Sequence, residues 1–207
     1  KLHNELDMSR TPIKQALMQL KSDGLIIERG GRGYEVRRIT EEDIIDLFDA
    51  REGIECTALK IALKKGIPLK IMNDLLYLNQ CVTAANNEKD YEKVFDYDSE
   101  LHVKLIGSSN NKRLIEYYNM ILLQLRRMRL LTYFQKTLPG EAVKEHALIF
   151  SAISNNEEEK ALNILSAHIL DTKNHYVEIL RNSIKTDADF MVLKYLIGNN
   201  LRIESAN

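Results

Sequence analysis

Apolar residues recur at intervals of three and four over most of the chain, which is the spacing of helices with one buried face. The clearest run begins at Thr40 and stops at Gly66, with Pro68 just beyond it. Thr40 and Asp43 have the spacing of an N-terminal capping box, and a glycine followed by a proline is a typical helix end. The same periodicity predicts further helices over residues 68–85, 90–106, 112–136, 141–154, 157–181 and 187–197.

Residues 1–38 follow a different pattern. The segment "GLIIERGGRGYEV" places a glycine-rich turn between two short β-branched stretches, which predicts a β-hairpin. Before it, Leu2 and Leu6 indicate the end of one helix, and Ser9 with Pro12 indicates the start of another. The apolar face predicted to be buried in this second helix consists of Ile13, Ala16, Leu17 and Leu20.

A helix, a turn, a second helix and a glycine-tipped hairpin together form a winged helix-turn-helix. The predicted fold is therefore mostly α: a winged helix-turn-helix DNA-binding domain over 1–38 and an all-helical bundle over 39–207. Residues 1–40 carry a net charge of +3 and the remainder −4, which weakly favours nucleic-acid binding by the first domain. In such a domain the second helix presents its N-terminal residues to the major groove.

The first domain resembles the DNA-reading segment of the GntR superfamily of bacterial transcription regulators. The likeness lies in "MSRTPIKQALMQLKSDGLI", residues 8–26, followed by the glycine-rich wing. By this resemblance Arg10, Thr11 and Lys14 face operator DNA and Gly30 lies at the tip of the wing. The family also has a further helix upstream, so the resemblance implies that the first helix of the domain is missing from this chain. Arginine at the opening of the helix suits guanine, whereas Thr and Lys suit phosphate.

The composition of the chain predicts its cellular compartment and the state of its cysteines. The chain has no run of 18 apolar residues and no apolar stretch near its first residues that resembles a signal peptide, so we expect a cytoplasmic protein without membrane contact. Cys56 and Cys81 lack the spacing of a metal-binding pair, and in that compartment we expect both to be reduced thiols.

The segment "DYDSELH" places Asp98 and His102 on one side of a helix, next to apolar positions. Such a pair could be a surface ion pair, a catalytic acid and base, or half of a metal site. Two further histidines, His146 and His168, lie beside the apolar faces of later helices, whereas His175 does not join the set. One carboxylate and three imidazoles on adjacent helices suit a transition metal.

Three segments of the second domain are similar to the effector domain of FadR-type regulators, called FCD: "AREGIECTALKIA", "DYDSELHVKLIGSSNNKRL" and "EHALIFSAISNNEEEKALNILSAH". Metal-binding members of that family use one Asp and three His at the places held here by Asp98, His102, His146 and His168. The resemblance therefore implies a divalent transition metal, which could be Zn, Ni, Mn or Fe.

The resemblance also implies a metabolite-responsive regulator rather than an enzyme, with a small carboxylate effector bound beside the metal and a homodimer on DNA. Arg51, Arg126 and Arg129 are candidates for neutralising the effector's charge, although each could instead form an ordinary salt bridge. Two alternatives stay open at this point: a metal-dependent hydrolase, and a structural helical dimer. The hydrolase would leave the first domain unexplained.

Overall fold

The computed structural model describes residues 6–30, 33–135 and 142–183, with side chains given up to 129 in the second range and up to 182 in the third. The described part of the chain is mostly helical, as the sequence predicts. Its elements are α1 (Arg10–Ser22), β1 (Ile26–Glu28), β2 (Tyr34–Val36), α2 (Glu41–Lys65), α3 (Leu69–Asn87), α4 (Tyr91–Gly107), α5 (Lys112–Gln135), α6 (Ala142–Ser154) and α7 (Glu158–Ser183). The predicted helix over 187–197 lies outside the described residues.

The first compact unit, which includes the chain up to Ile39, contains α1 and the predicted hairpin. Strands β1 and β2 are antiparallel, with Ile26 opposite Val36 and Glu28 opposite Tyr34. Gly30 follows β1 with a φ of 45°, a left-handed conformation that glycine adopts at little cost. The hairpin is therefore confirmed, and Gly30 lies in its connecting turn.

Helix α1 begins where the sequence predicts, with Ser9 at the N-cap position, although the Ser9 side chain makes no capping hydrogen bond. The predicted apolar face is only partly covered, since Ala16 is exposed and none of the residues of α1 is fully buried. Among the elements with described bounds, the short strand β1 is the main packing partner of α1, and three residues cannot cover a 13-residue helix.

Helix α2 begins as the sequence predicts. The Thr40 hydroxyl accepts a hydrogen bond from the Asp43 backbone N–H, and the Thr40 N–H donates to the Asp43 carboxylate, each at 3.0 Å. The helix ends at Gly66, whose φ of 78° breaks the helical geometry. The capping box and the glycine stop are both confirmed.

The second compact unit begins at Thr40 and is a helical bundle. Helix α2 packs against α4, α5 and α7, while α3 packs on α4 and α6 packs on α7. The buried face of α2 carries apolar residues such as Ile44 and Leu59, but it also carries Arg51 and Glu55. Two charged side chains in the core need partners, and those partners define the site described below.

In the described part of the chain, no helix is long and apolar enough to cross a membrane.

Candidate metal centre

Three helices bring three histidines to one point in the core of the bundle. His102 lies on α4, His146 on α6 and His168 on α7, and all three are buried. One ring nitrogen of each lies within 4.8 Å of those of the other two, and their ring centroids are 4.6–5.4 Å apart. Each histidine occupies a position on the apolar face of its helix, so helix packing itself drives the imidazoles together.

Asp98 faces this cluster from one turn before His102. Its Oδ1 lies 3.6 Å from Nε2 of His102 and 3.5 Å from Nε2 of His146. Its Oδ2 lies 2.6 Å from Nη2 of Arg129 on α5. One carboxylate oxygen therefore points at the imidazoles while the other is held by an arginine.

Two further carboxylates, those of Glu55 and Glu145, contact the Nδ1 atoms of two of the imidazoles. Nδ1 of His102 lies 2.7 Å from Oε2 of Glu55, and Nδ1 of His168 lies 2.7 Å from Oε2 of Glu145. When Nδ1 donates to a carboxylate, Nε2 keeps its lone pair, which is the arrangement typical of metal-bound histidines. Sequence reasoning did not predict these two roles.

The sequence nevertheless contains a feature that could have drawn attention to Glu55 and to Glu145. Glu55 follows Arg51 by four residues, the spacing of a helical ion pair, and Glu145 directly precedes His146 in the segment that carries the family resemblance. Partners for the histidines could not be inferred from spacing, because Glu55 and His102 are 47 residues apart and lie on different helices.

The electrostatic environment favours neutral imidazoles at His146 and His168 and an ionised Asp98, whereas the carboxylates of Glu55 and Asp98 raise the pKa of His102 despite its burial. Burial and the neighbouring His168 hold the pKa of His146 well below its usual range, and burial also lowers the pKa of His168. Burial opposes the charge on Asp98, but Arg129 and the imidazoles outweigh it and keep the pKa of that carboxyl well below normal. Neutral imidazole and ionised carboxylate are the protonation states that ligate metals.

The ring nitrogens of His146 support a metal site because they lack hydrogen-bond partners among the described residues. Both of these nitrogens are buried. A buried polar atom without a partner is costly unless something else satisfies it. The donor set of one carboxylate and three imidazoles fits Zn, Ni, Mn or Fe. An ion bound to Nε2 of His102 would have to replace the contact that Nη2 of Arg51 makes there, at 2.9 Å.

The three arginines predicted to meet an effector have different positions. Arg51 and Arg129 are buried and line a cavity next to the histidines. Arg126 is exposed and does not line that cavity. Successive residues of an α-helix are rotated by about 100° around its axis. This rotation places Arg126 outside the buried face of α5 that contains Leu125, Met128 and Arg129. The structure therefore does not bring Arg126 to the site.

The cavity has a volume of about 110 Å³, and Asp98 is among the residues that line it. Its lining residues come from α2, α3, α4, α5, α6 and α7. A further buried side chain near the cluster is Tyr118 on α5, whose hydroxyl has no hydrogen-bond partner among the described residues. Burial and the charge of Glu55 raise the pKa of Tyr118, so it remains a neutral hydrogen-bond donor.

The residues that the sequence predicts to contact DNA lie on α1 and in the turn of the hairpin. Arg10, Thr11 and Lys14 are exposed in the first turns of α1, and Gly30 is exposed in the wing. The structure thus leaves all four accessible within the first compact unit.

Residues 46–171 match the model of the FCD domain, which covers more than half of the chain. The chain belongs to the FCD family. The resemblance to FadR-type regulators of the GntR superfamily is thereby confirmed, and the chain is a GntR-type regulator with an FCD domain.

Curated relatives agree with this family. The chain is 24% identical over 182 residues to the Nta operon transcriptional regulator of Aminobacter aminovorans, spanning 87% of this chain and 83% of the relative. It is 23% identical over 193 residues to the HTH-type transcriptional regulator LutR of Bacillus subtilis, spanning 83% and 86% respectively.

Solved structures share the fold. The chain matches Escherichia coli McbR/YncC with a TM-score of 0.72 at 16% identity, and the match covers 87% of this chain and 84% of the other. It matches a GntR-family transcriptional regulator from Pseudomonas syringae pv. tomato with a TM-score of 0.60 at 18% identity, covering 87% and 76%.

Proposed function

We propose that this chain is a metabolite-responsive transcription regulator whose FCD domain binds one divalent transition metal and, beside it, a small carboxylate effector. Asp98, His102, His146 and His168 would hold the metal. The observation that carries the proposal is their convergence at a buried point, where the ring nitrogens of His146 have no hydrogen-bond partner among the described residues.

The metal would supply open coordination positions for an anionic oxygen, while the protein's own groups hold and orient it. Glu55 and Glu145 fix the tautomers of His102 and His168. Arg129 contacts Asp98 and lines the adjacent cavity, so its guanidinium can also meet an entering carboxylate. Arg51 lines the same cavity from α2.

For DNA binding we propose that α1 is the recognition helix, with Arg10, Thr11 and Lys14 at the DNA and Gly30 in the wing. Their exposure and the family membership support this assignment. Effector binding would then act by favouring one of two arrangements of the DNA-binding domains.

We also propose a homodimer, because operators read by helix-turn-helix proteins contain two related half-sites. Large apolar side chains exposed on the FCD domain, among them Tyr77 and Met120, support a covered surface there. The molar mass from light scattering should be about twice that of the chain, and a monomer at micromolar concentration would contradict the proposal.

The effector mechanism can be tested with DNA selected from a random library by the metal-loaded protein. Fluorescence anisotropy would then record the affinity for that duplex with and without a panel of small organic acids. We expect at least one acid to change the affinity of wild type but not of Asp98→Ala. Asp96→Ala is the matched control, since Asp96 is exposed on the same helix and should leave the response intact. Equal responses in all three proteins would refute the metal-centred site.

A further inference from the structure

The cavity beside the histidines has two chemically different walls. The polar wall includes Asp98, Arg129 and two of the histidines. The aliphatic wall is the part of the lining formed by Val82 of α3, Val94 of α4 and Val143 of α6. Val82 and Val94 are 1% and 4% exposed and pack in one cluster against which Val143 rests, so this wall is part of the hydrophobic core.

Few of the described residues that line the cavity are cationic. Among the described residues that line the cavity, the only cationic side chains are those of Arg51 and Arg129. Each already has a carboxylate partner at 2.6 Å: Glu55 for Arg51 and Asp98 for Arg129. The cavity can therefore neutralise one carboxylate, at the metal and Arg129, and the described residues that line it offer no further cation for a second one.

The cavity is also lined by the neutral polar residues Asn86, Thr172 and Tyr176, which carry no charge and therefore cannot neutralise a second carboxylate. The Thr172 hydroxyl donates to the carbonyl of His168 at 2.8 Å, which uses its proton. A second carboxylate at the far end of a ligand would therefore lie against aliphatic carbon and neutral polar groups, without a cationic partner among the described residues that line the cavity. Burying an ionised carboxylate without a partner is strongly unfavourable, whereas burying methylene groups there is favourable.

We infer that the effector is a monocarboxylic acid with a short aliphatic tail, and that dicarboxylic acids of the same length are rejected. This inference rests on the proposed function, because the single carboxylate is placed at the metal. The tail lies against Val82, Val94 and Val143. The cavity of about 110 Å³ is well below the usual size of drug-binding pockets, which restricts the tail to a few carbon atoms.

Isothermal titration calorimetry on the metal-loaded full chain tests this with a matched series: acetate, propionate, butyrate and succinate. We expect affinity to rise about fourfold per added methylene from acetate to butyrate. Succinate has the same number of carbons as butyrate, and we expect it to bind at least about tenfold more weakly, since its second carboxylate is buried without a cation.

A substitution should reverse the preference. Val143 is only half-buried at the start of α6, so Val143→Lys can place an ammonium at the aliphatic wall. We expect this variant to bind succinate more tightly than butyrate while keeping its metal. Leu148→Lys is the matched control on the same helix, because Leu148 is 55% exposed and does not line the cavity, and it should retain the wild-type preference.

The outcomes separate the two claims. Metal-dependent binding of succinate equal to or tighter than that of butyrate in wild type would overturn the inference and leave the proposed function standing. Failure of every carboxylate in the series to bind the metal-loaded protein would overturn both. An unchanged preference in metal-loaded Val143→Lys would show that the aliphatic wall does not select the ligand, and would also overturn the inference.

Discussion

Glu55→Gln is the substitution whose consequences follow most directly from the structure. Glu55 is fully buried, and its two oxygens accept hydrogen bonds from Nε of Arg51 at 2.6 Å and from Nδ1 of His102 at 2.7 Å. Glutamine has nearly the same shape, but its amide has only one acceptor oxygen. One of the two donors would therefore face an NH₂ group, and the charge of buried Arg51 would lose its nearest partner.

Removing one member of a buried ion pair costs about 3–5 kcal/mol, because the other charge stays buried without compensation. We expect the free energy of unfolding of metal-free Glu55→Gln to fall by about this amount. For a chain of this size each 1 kcal/mol corresponds to roughly 2–4 °C in melting temperature. His102 would also lose its orienting carboxylate, so metal affinity should fall about 10–100-fold.

Urea unfolding followed by far-UV circular dichroism, on protein treated with a chelator, measures the stability change without any contribution from metal. Glu42→Gln is the control, since Glu42 is exposed near the start of the same helix. A loss below about 1 kcal/mol for Glu55→Gln would be in the range of a surface pair and would refute the assignment of Glu55 as a buried structural charge.

The same residue gives a pH prediction. Although burial opposes ionisation, Arg51 and His102 lower the pKa of Glu55 below its usual value in the folded protein. A lowered folded-state pKa contributes stability above the unfolded pKa of about 4.3, and this stability is lost as the pH falls below it. Wild type should therefore lose stability between about pH 5 and pH 3 more steeply than Glu55→Gln. Parallel curves would contradict this.

The remaining predictions concern other parts of the chain. Arg10→Ala should weaken binding to selected DNA by about 1–3 kcal/mol relative to random DNA, whereas Lys14→Ala should weaken both equally and reduce the salt dependence, as anisotropy titrations in several salt concentrations can determine. Thr40→Ala removes the capping hydrogen bond of α2 and should lower the free energy of unfolding by about 1 kcal/mol, measured in urea. Burial and neighbouring Glu55 raise the pKa of Cys56 to about 12, so its alkylation at pH 8, followed by peptide mapping, should be at least about tenfold slower than that of an ordinary thiol.

The helices were predictable from the chain because their apolar period, caps and stops are local. The capping box at Thr40 and the hairpin around Gly30 depend on residues a few positions apart, and both are confirmed. The apolar face assigned to α1 was wrong at Ala16, since burial depends on which elements cover a helix and not on its own period.

The site also contains residues that could be predicted from the sequence and residues that could not. Asp98 and the three histidines could be selected from their positions on apolar helix faces together with the family resemblance. The roles of Glu55 and Glu145 could not, because each depends on a contact between helices that no spacing in the sequence encodes. Arg126 and Arg129 looked equivalent in the sequence, and only the arc of α5 that the bundle buries separates them.

Metal content is the measurement that tests the central claim most directly. The full chain would be loaded with a divalent transition metal, desalted and analysed by inductively coupled plasma mass spectrometry, alongside His146→Ala and His175→Ala. His175 is a histidine on α7 that does not belong to the cluster among the described residues, so it controls for the loss of an imidazole. We expect about one metal ion per chain in wild type and His175→Ala, and a large loss in His146→Ala. Full metal content in His146→Ala, or none in wild type, would contradict the account.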